Sequence, residues 1–155
     1  MSGRLEAHGI SIELPAGWEG RIYRRRGGDP TLHAANYALP GADGDFGSTA
    51  TELMPHGGSF VVITEYRAGQ GLVPGEGLFA SRAIPLPLDA RRFHPHMLQV
   101  GRPGQLGFQH FFTAGDRPFC LYAVVKPGGH GRVAAAAAHP LVSSVSRVLA
   151  TVAIG

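Results

Sequence analysis

The sequence predicts an α+β domain: a mainly antiparallel sheet of about six strands with a C-terminal helix packed on one face. Three observations lead there. Phe119-Cys120-Leu121-Tyr122-Ala123-Val124-Val125 is an apolar run rich in aromatic and β-branched residues. Asp116-Arg117-Pro118 precedes it and Lys126-Pro127-Gly128-Gly129 follows, so its length suits a strand buried on both faces. Gly107 to Thr113 reads as a neighbouring strand, with Ala114-Gly115-Asp116-Arg117 as a hairpin connection. Finally, Leu141, Val145, Val148, Leu149 and Val152 recur at helical spacing, with Ser143, Ser144, Arg147 and Thr151 opposite.

From the N-terminus, Gly9 to Leu14 alternates strictly, with Ile10, Ile12 and Leu14 facing in. Pro15-Ala16-Gly17 ends this strand, and Trp18 beside the turn reads as a core plug. Gly20 to Arg26 reads as a second strand. Arginines on both of its faces suit a sheet edge, where charge blocks unwanted pairing. Gly27-Gly28-Asp29-Pro30 turns the chain into a third strand, Thr31 to Leu39, so the first three strands are expected to form a meander. Phe46, Ala50, Leu53 and Met54 share one side of a short helix. Ser59 to Tyr66, built on Phe60, Val61, Val62 and Ile63, is a further strand.

Residues 67–106 break the pattern. Gly and Pro recur, so regular structure should be sparse, and long loops inside a compact domain are usually functional. Past the central hairpin, Gly128 to Gly131 reads as a loop and Ala134 to Ala138 as a small-residue stretch. Pro140 then suits the first turn of the closing helix.

Composition bounds the class. A chain of 155 residues favours one domain, which at this size buries roughly 68–70% of its unfolded surface without needing staples. The single cysteine, Cys120, lies inside the most apolar run and reads as an inert packing residue. Residues 1–6 lack the apolar core of a signal peptide, and no run approaches the ~18 apolar residues of a membrane span. The expectation is therefore a cytoplasmic protein that does not engage a membrane. The net charge of +3 is small for a nucleic-acid binder.

Ser11-Ile12-Glu13-Leu14-Pro15-Ala16-Gly17-Trp18, a strand followed by Pro-x-Gly-Trp, resembles the opening of PsbP-like domains. The closing helix, ending in Val148-Leu149-Ala150-Thr151, is similar to that family's. The resemblance implies an antiparallel sheet flanked by helices in an α/β/α sandwich. It also implies a non-catalytic accessory or binding role, and it transfers no functional residues.

His94-Pro95-His96 fixes two imidazoles by spacing, with Asp89 and His110 as possible third ligands, whereas zinc needs three or four that converge, so no metal is expected. Asp43, Asp45 and Glu52 suggest a calcium loop, but Phe46 stands where its glycine belongs and Gly41 where its first acid belongs. Gly75-Glu76-Gly77-Leu78-Phe79-Ala80 matches a dinucleotide fingerprint by letter while lacking the strand before it and the helix after it. Lys126 to Arg132 lacks the G-K-[S/T] ending of a phosphate loop. No G-x-S-x-G occurs. No catalytic residue and no cofactor are assigned.

The leading expectation is a non-catalytic protein-binding or assembly module, with a protein partner or a second copy as its ligand. Leu72, Val73, Leu78 and Phe79 form its contact surface, because they are apolar where loops are usually polar. The alternative is a small-molecule or anion-binding domain, hydrolase-like, using residues 67–106 with His94 and His96. Arg24, Arg25, Arg26, Arg91 and Arg92 are its candidate anion contacts.

Overall fold

The computed structural model describes residues 3–44, 46–69 and 71–155. Eight strands are seen among them: β1 (Gly3–Ala7), β2 (Ile10–Leu14), β3 (Glu19–Arg24), β4 (Pro30–Ala35), β5 (Ser59–Glu65), β6 (Leu106–Ala114), β7 (Arg117–Val125) and β8 (Ala153–Ile154). Two α-helices, α1 (Ser48–Glu52) and α2 (Gly131–Leu149), complete the regular structure with three short 3-10 turns. The α+β class is as expected. The single six-stranded sheet is not: five strands form one antiparallel sheet in the order β3-β4-β5-β7-β6, and three form another in the order β1-β2-β8.

The strong apolar runs occupy the middle of the larger sheet. β7 is bonded on both sides, to β5 and β6, and Phe119 to Leu121 and Ala123 to Val125 are fully buried. The β6–β7 hairpin closes through two residues only, Gly115 at φ 54° and Asp116 at φ 60°. Two left-handed residues give the turn whose twist matches antiparallel strands, so pairing continues to Ala114 and Arg117. β3 lies at the sheet's edge, where its arginines can reach solvent.

The expected opening meander needs correction. β2 does not pair with β3; it pairs with β1 and β8, and the meander is β3-β4-β5. β4 also stops at Ala35 rather than Leu39. Asn36 takes over the end of the ladder: its Oδ1 accepts from Ser59 N–H at 2.7 Å and its Nδ2 donates to the Gly57 carbonyl at 3.0 Å.

Helix α2 covers one face of the larger sheet with Ala138, Val142, Val145, Val148 and Leu149. It begins nine residues before the expected start, at Gly131, and Pro140 lies inside it. The alanine run is the reason, since alanine is the strongest helix former. Pro140 and Ala136, whose carbonyl loses its donor, are both on the solvent side. The stripe is turned slightly from the one expected: Val142 is buried, while Leu141 and Val152 are half-buried. The opposite face of the sheet carries a second, smaller core of Phe60, Val62, Tyr122 and Val124 under Ala50 and Met54. Leu53, expected on the buried side of α1, is 59% exposed. Trp18 is half-buried at the margin of the main core.

Among the described residues between β5 and β6, the only helical segments are the 3-10 turns Gly77–Phe79, Ala90–Arg92 and Pro95–Met97. They cap the outer edge of β6. His94 exchanges two backbone bonds with Gly107, at 2.8 and 3.0 Å, and Thr113 N–H donates to the Ser81 carbonyl at 2.8 Å.

Candidate functional site

The apolar residues of the 72–79 loop divide into an anchor and a crest. Phe79 is only 1% exposed, which corrects the expectation that it belongs to an exposed surface. Its ring meets Phe111 at 5.6 Å, nearly perpendicular, and Tyr66 at 5.9 Å. Leu78 and Val73 remain 60% and 46% exposed, and Leu72 is half-buried. Thr113 fixes the loop to β6. Its Oγ1 donates to the Phe79 carbonyl at 2.7 Å and accepts from Gly75 N–H at 2.8 Å. Gly75 is left-handed at φ 81°, and a Cβ there would come within 2.4 Å of Arg82. A cavity of about 190 Å³ opens between Leu72, Val73 and Leu78. The crest is thus a set of apolar side chains held on a pinned loop.

The arginines do not form one anion site. Arg24–Arg26 belong to the β3 end of the larger sheet, whereas Arg92 lies 5.4 Å over the Phe108 ring on β6, the opposite edge. Most are engaged locally. Arg24 Nη1 donates to the Gly28 carbonyl at 2.5 Å, and Arg25 Nη2 donates to the Glu65 carbonyl at 2.7 Å. Arg91 grips Asp89 with two bonds, at 3.1 and 3.0 Å, and this pairing accounts for an Asp89 carboxyl held below its usual range. Arg26 is exposed.

His94 and His96 stack edge to face with ring centroids 4.5 Å apart, and His94 Nδ1 accepts from His96 N–H at 3.1 Å. His110 is turned elsewhere, toward Ser81 and the Ala83 carbonyl. Among the described residues no three His, Cys, Asp or Glu side chains converge as a ligand set. Asp45, considered for calcium, lies outside the described residues. The 75–80 stretch forms a 3-10 turn, so it lacks the helix that a dinucleotide loop needs. Cys120 is buried, and desolvation pushes its thiol up to about 12.

No family model matches this chain, and no curated protein or solved structure does either.

Two polar clusters had no signal in the sequence. His33 and Asp43 are both buried, with His33 Nδ1 and Asp43 Oδ2 2.8 Å apart. Tyr23 donates to the other Asp43 oxygen at 3.3 Å, and Arg21 stands 4.0 Å from it. Burial pushes the Asp43 carboxyl up, but the His33 bond and charge, its backbone bond and Arg21 together hold it below its usual value. Among the described residues no hydrogen-bond partner meets His33 Nε2, and the His33 ring packs edge to face with Tyr23 at 5.4 Å and Phe60 at 5.6 Å. The pair therefore fastens residues 41–44 over the sheet. The second cluster is Arg117. It holds Glu65 at 2.7 and 3.1 Å, and donates to the carbonyls of His8 and Gly155, each at 2.9 Å. One guanidinium thereby ties the β1–β2 turn, the end of β5 and the residue after β8. Read linearly, Arg117 is only a turn residue.

Proposed function

We propose that this chain is a non-catalytic protein-binding or assembly module of a cytoplasmic complex, gripping its protein partner by the crest Leu72, Val73 and Leu78. The observation that carries the reading is the 60% exposure of Leu78 next to the 1% exposure of Phe79. An apolar side chain held in place by a buried neighbour has lost most of its freedom before binding. A partner then gains the burial without ordering the loop. Such preordered apolar groups, surrounded by a polar rim, are the usual centres of binding energy. Glu76, Arg67 and Arg82 supply polar rim groups nearby in the chain. The partner chemistry that fits is an apolar knob or short helix able to fill the space between Val73 and Leu78.

The reading extends to a PsbP-like relationship. The Pro15–Trp18 corner after β2, and α2 closing an antiparallel sheet, support it.

A photoreactive residue at position 78, in cells, tests the assignment, with position 53 as the control because Leu53 is equally exposed at 59%. A defined adduct at 78 that is absent at 53 is expected, and adding Val73→Asp beside the photoreactive residue should weaken it while the fold is retained. Equal labelling at both positions, or none at 78, refutes the crest as the contact.

A further inference from the structure

Ala7 and Ile10 close a two-residue hairpin whose turn residues, His8 at φ 53° and Gly9 at φ 76°, are both left-handed. In such a ladder the backbone groups alternate between pointing across the hairpin and pointing away. The far side of β2 shows which residues do which. Glu13 N–H donates to Thr151 Oγ1 at 3.0 Å, and the Glu13 carbonyl accepts from that hydroxyl at 3.3 Å. Glu13 therefore turns its backbone away from β1. Arg4, which is opposite Glu13, must turn its own N–H and carbonyl outward, and so must Glu6 two residues on. β1 is the last strand of its sheet, so this edge is unpaired among the described residues.

The geometry points to a two-fold homodimer in which β1 pairs antiparallel with β1 of a second copy, about an axis at Leu5. In that register Arg4 of each copy lies opposite Glu6 of the other. Both residues face outward, so each such pair exchanges two N–H···O=C bonds, and the symmetry makes the pair twice. Arg4 and Glu6 also share one face of the strand, where they bond to each other at 3.1 Å and Arg4 stands 3.6 Å from Glu13, so each ladder step adds an opposite-charge neighbour to this network. Centring on Arg4 would set arginine against arginine, and centring on Glu6 glutamate against glutamate. Only the Leu5 axis matches both charges.

The other face agrees. Leu5 and its copy become a non-hydrogen-bonded pair, the kind whose side chains approach most closely. Leu5 is half-buried and already packs against the main core, so the dimer would extend that core across the axis. Gly3 would stand opposite Ala7, both small. Arg117, bonded to the His8 carbonyl, holds the hairpin tip in place, so the edge is formed before pairing. A five-residue strand makes an interface well below the standard size, so the dimer forms with rising concentration and is not obligate. This inference is independent of the crest.

The test uses the full chain in sedimentation velocity across the micromolar-to-millimolar range, with amide hydrogen exchange. The wild type should dimerise, and the Arg4 and Glu6 amides should become protected as concentration rises. The Leu5 amide, already bonded across the hairpin, should stay constant. Glu6→Arg turns two attractive cross-strand pairs into repulsive ones and should weaken association on the order of tenfold. Glu6→Arg combined with Arg4→Glu should restore it. A protein that stays monomeric throughout overturns the inference. So does a dimer indifferent to Glu6→Arg, or one not rescued by the charge swap. Loss of dimer in Leu78→Asp with no effect of Glu6→Arg assigns association to the crest and also overturns it.

Discussion

Phe79→Ala and Leu78→Ala should behave as opposites although the positions are adjacent. Phe79 is 1% exposed, fills the space between Tyr66 and Phe111, and lies where Thr113 ties the loop to β6. Emptying a buried phenylalanine site costs about 3–5 kcal/mol, the range depending on how far the surroundings collapse. A domain has only about 5–15 kcal/mol to lose. For a chain of this length each kcal/mol is worth about 2–4 °C, so Tm should fall by roughly 6–20 °C. Leu78, 60% exposed, should change stability by no more than about 0.5 kcal/mol. Urea unfolding followed by the fluorescence of Trp18 measures both. A Phe79→Ala cost under about 1 kcal/mol, or a Leu78→Ala cost above that, would refute the division into anchor and crest.

Arg117→Met should destabilise by about 1–3 kcal/mol, since it strips the donors from Glu65 and from the carbonyls of His8 and Gly155; chemical denaturation reads the loss, and fast exchange of β1–β2 amides should accompany it. Asp43→Asn should cost about 1–3 kcal/mol at neutral pH. The Asp43 pKa is lowered by folding, so its contribution is present above the ordinary carboxyl value and is lost as pH falls through the folded one. The gap between variant and wild type should therefore close below about pH 4, as thermal melts against pH will show. Cys120, buried and with its thiol pushed up to about 12, should react with a thiol reagent only as fast as the protein opens. Rapid labelling of native protein would contradict its burial.

The strands that the sequence makes legible are those whose apolar residues leave no choice. Phe119 to Val125 and Phe60 to Ile63 are buried on both faces, and any register keeps them in the sheet. β1 escapes notice because its alternation is carried by Arg4, Leu5 and Glu6, a single large apolar residue between charges. β8 is two residues long and owes its existence to the strand beside it. The helix start is hidden because Pro140 suits a first turn, whereas here it lies inside the helix on its solvent side. Phe79 and Leu78 look alike in composition, and only the position of Phe111 and Tyr66 separates them. His33 and Asp43 are ten positions apart on a strand and a loop, and no spacing rule brings such a pair together.

The bonds between Glu13 and Thr151 join positions 138 residues apart. A ribosome making this chain releases β2 long before the residues that will flank it. Until Thr151 to Ile154 emerge, one side of β2 has no lasting partner, while the β3-β4-β5 meander can already form from neighbouring stretches. The small sheet therefore closes after that meander, because joining its distant strands costs more chain entropy. In the interval the free edge of β2, which presents the backbone groups of Ser11 and Glu13, is the place where a nascent chain would pair wrongly with another.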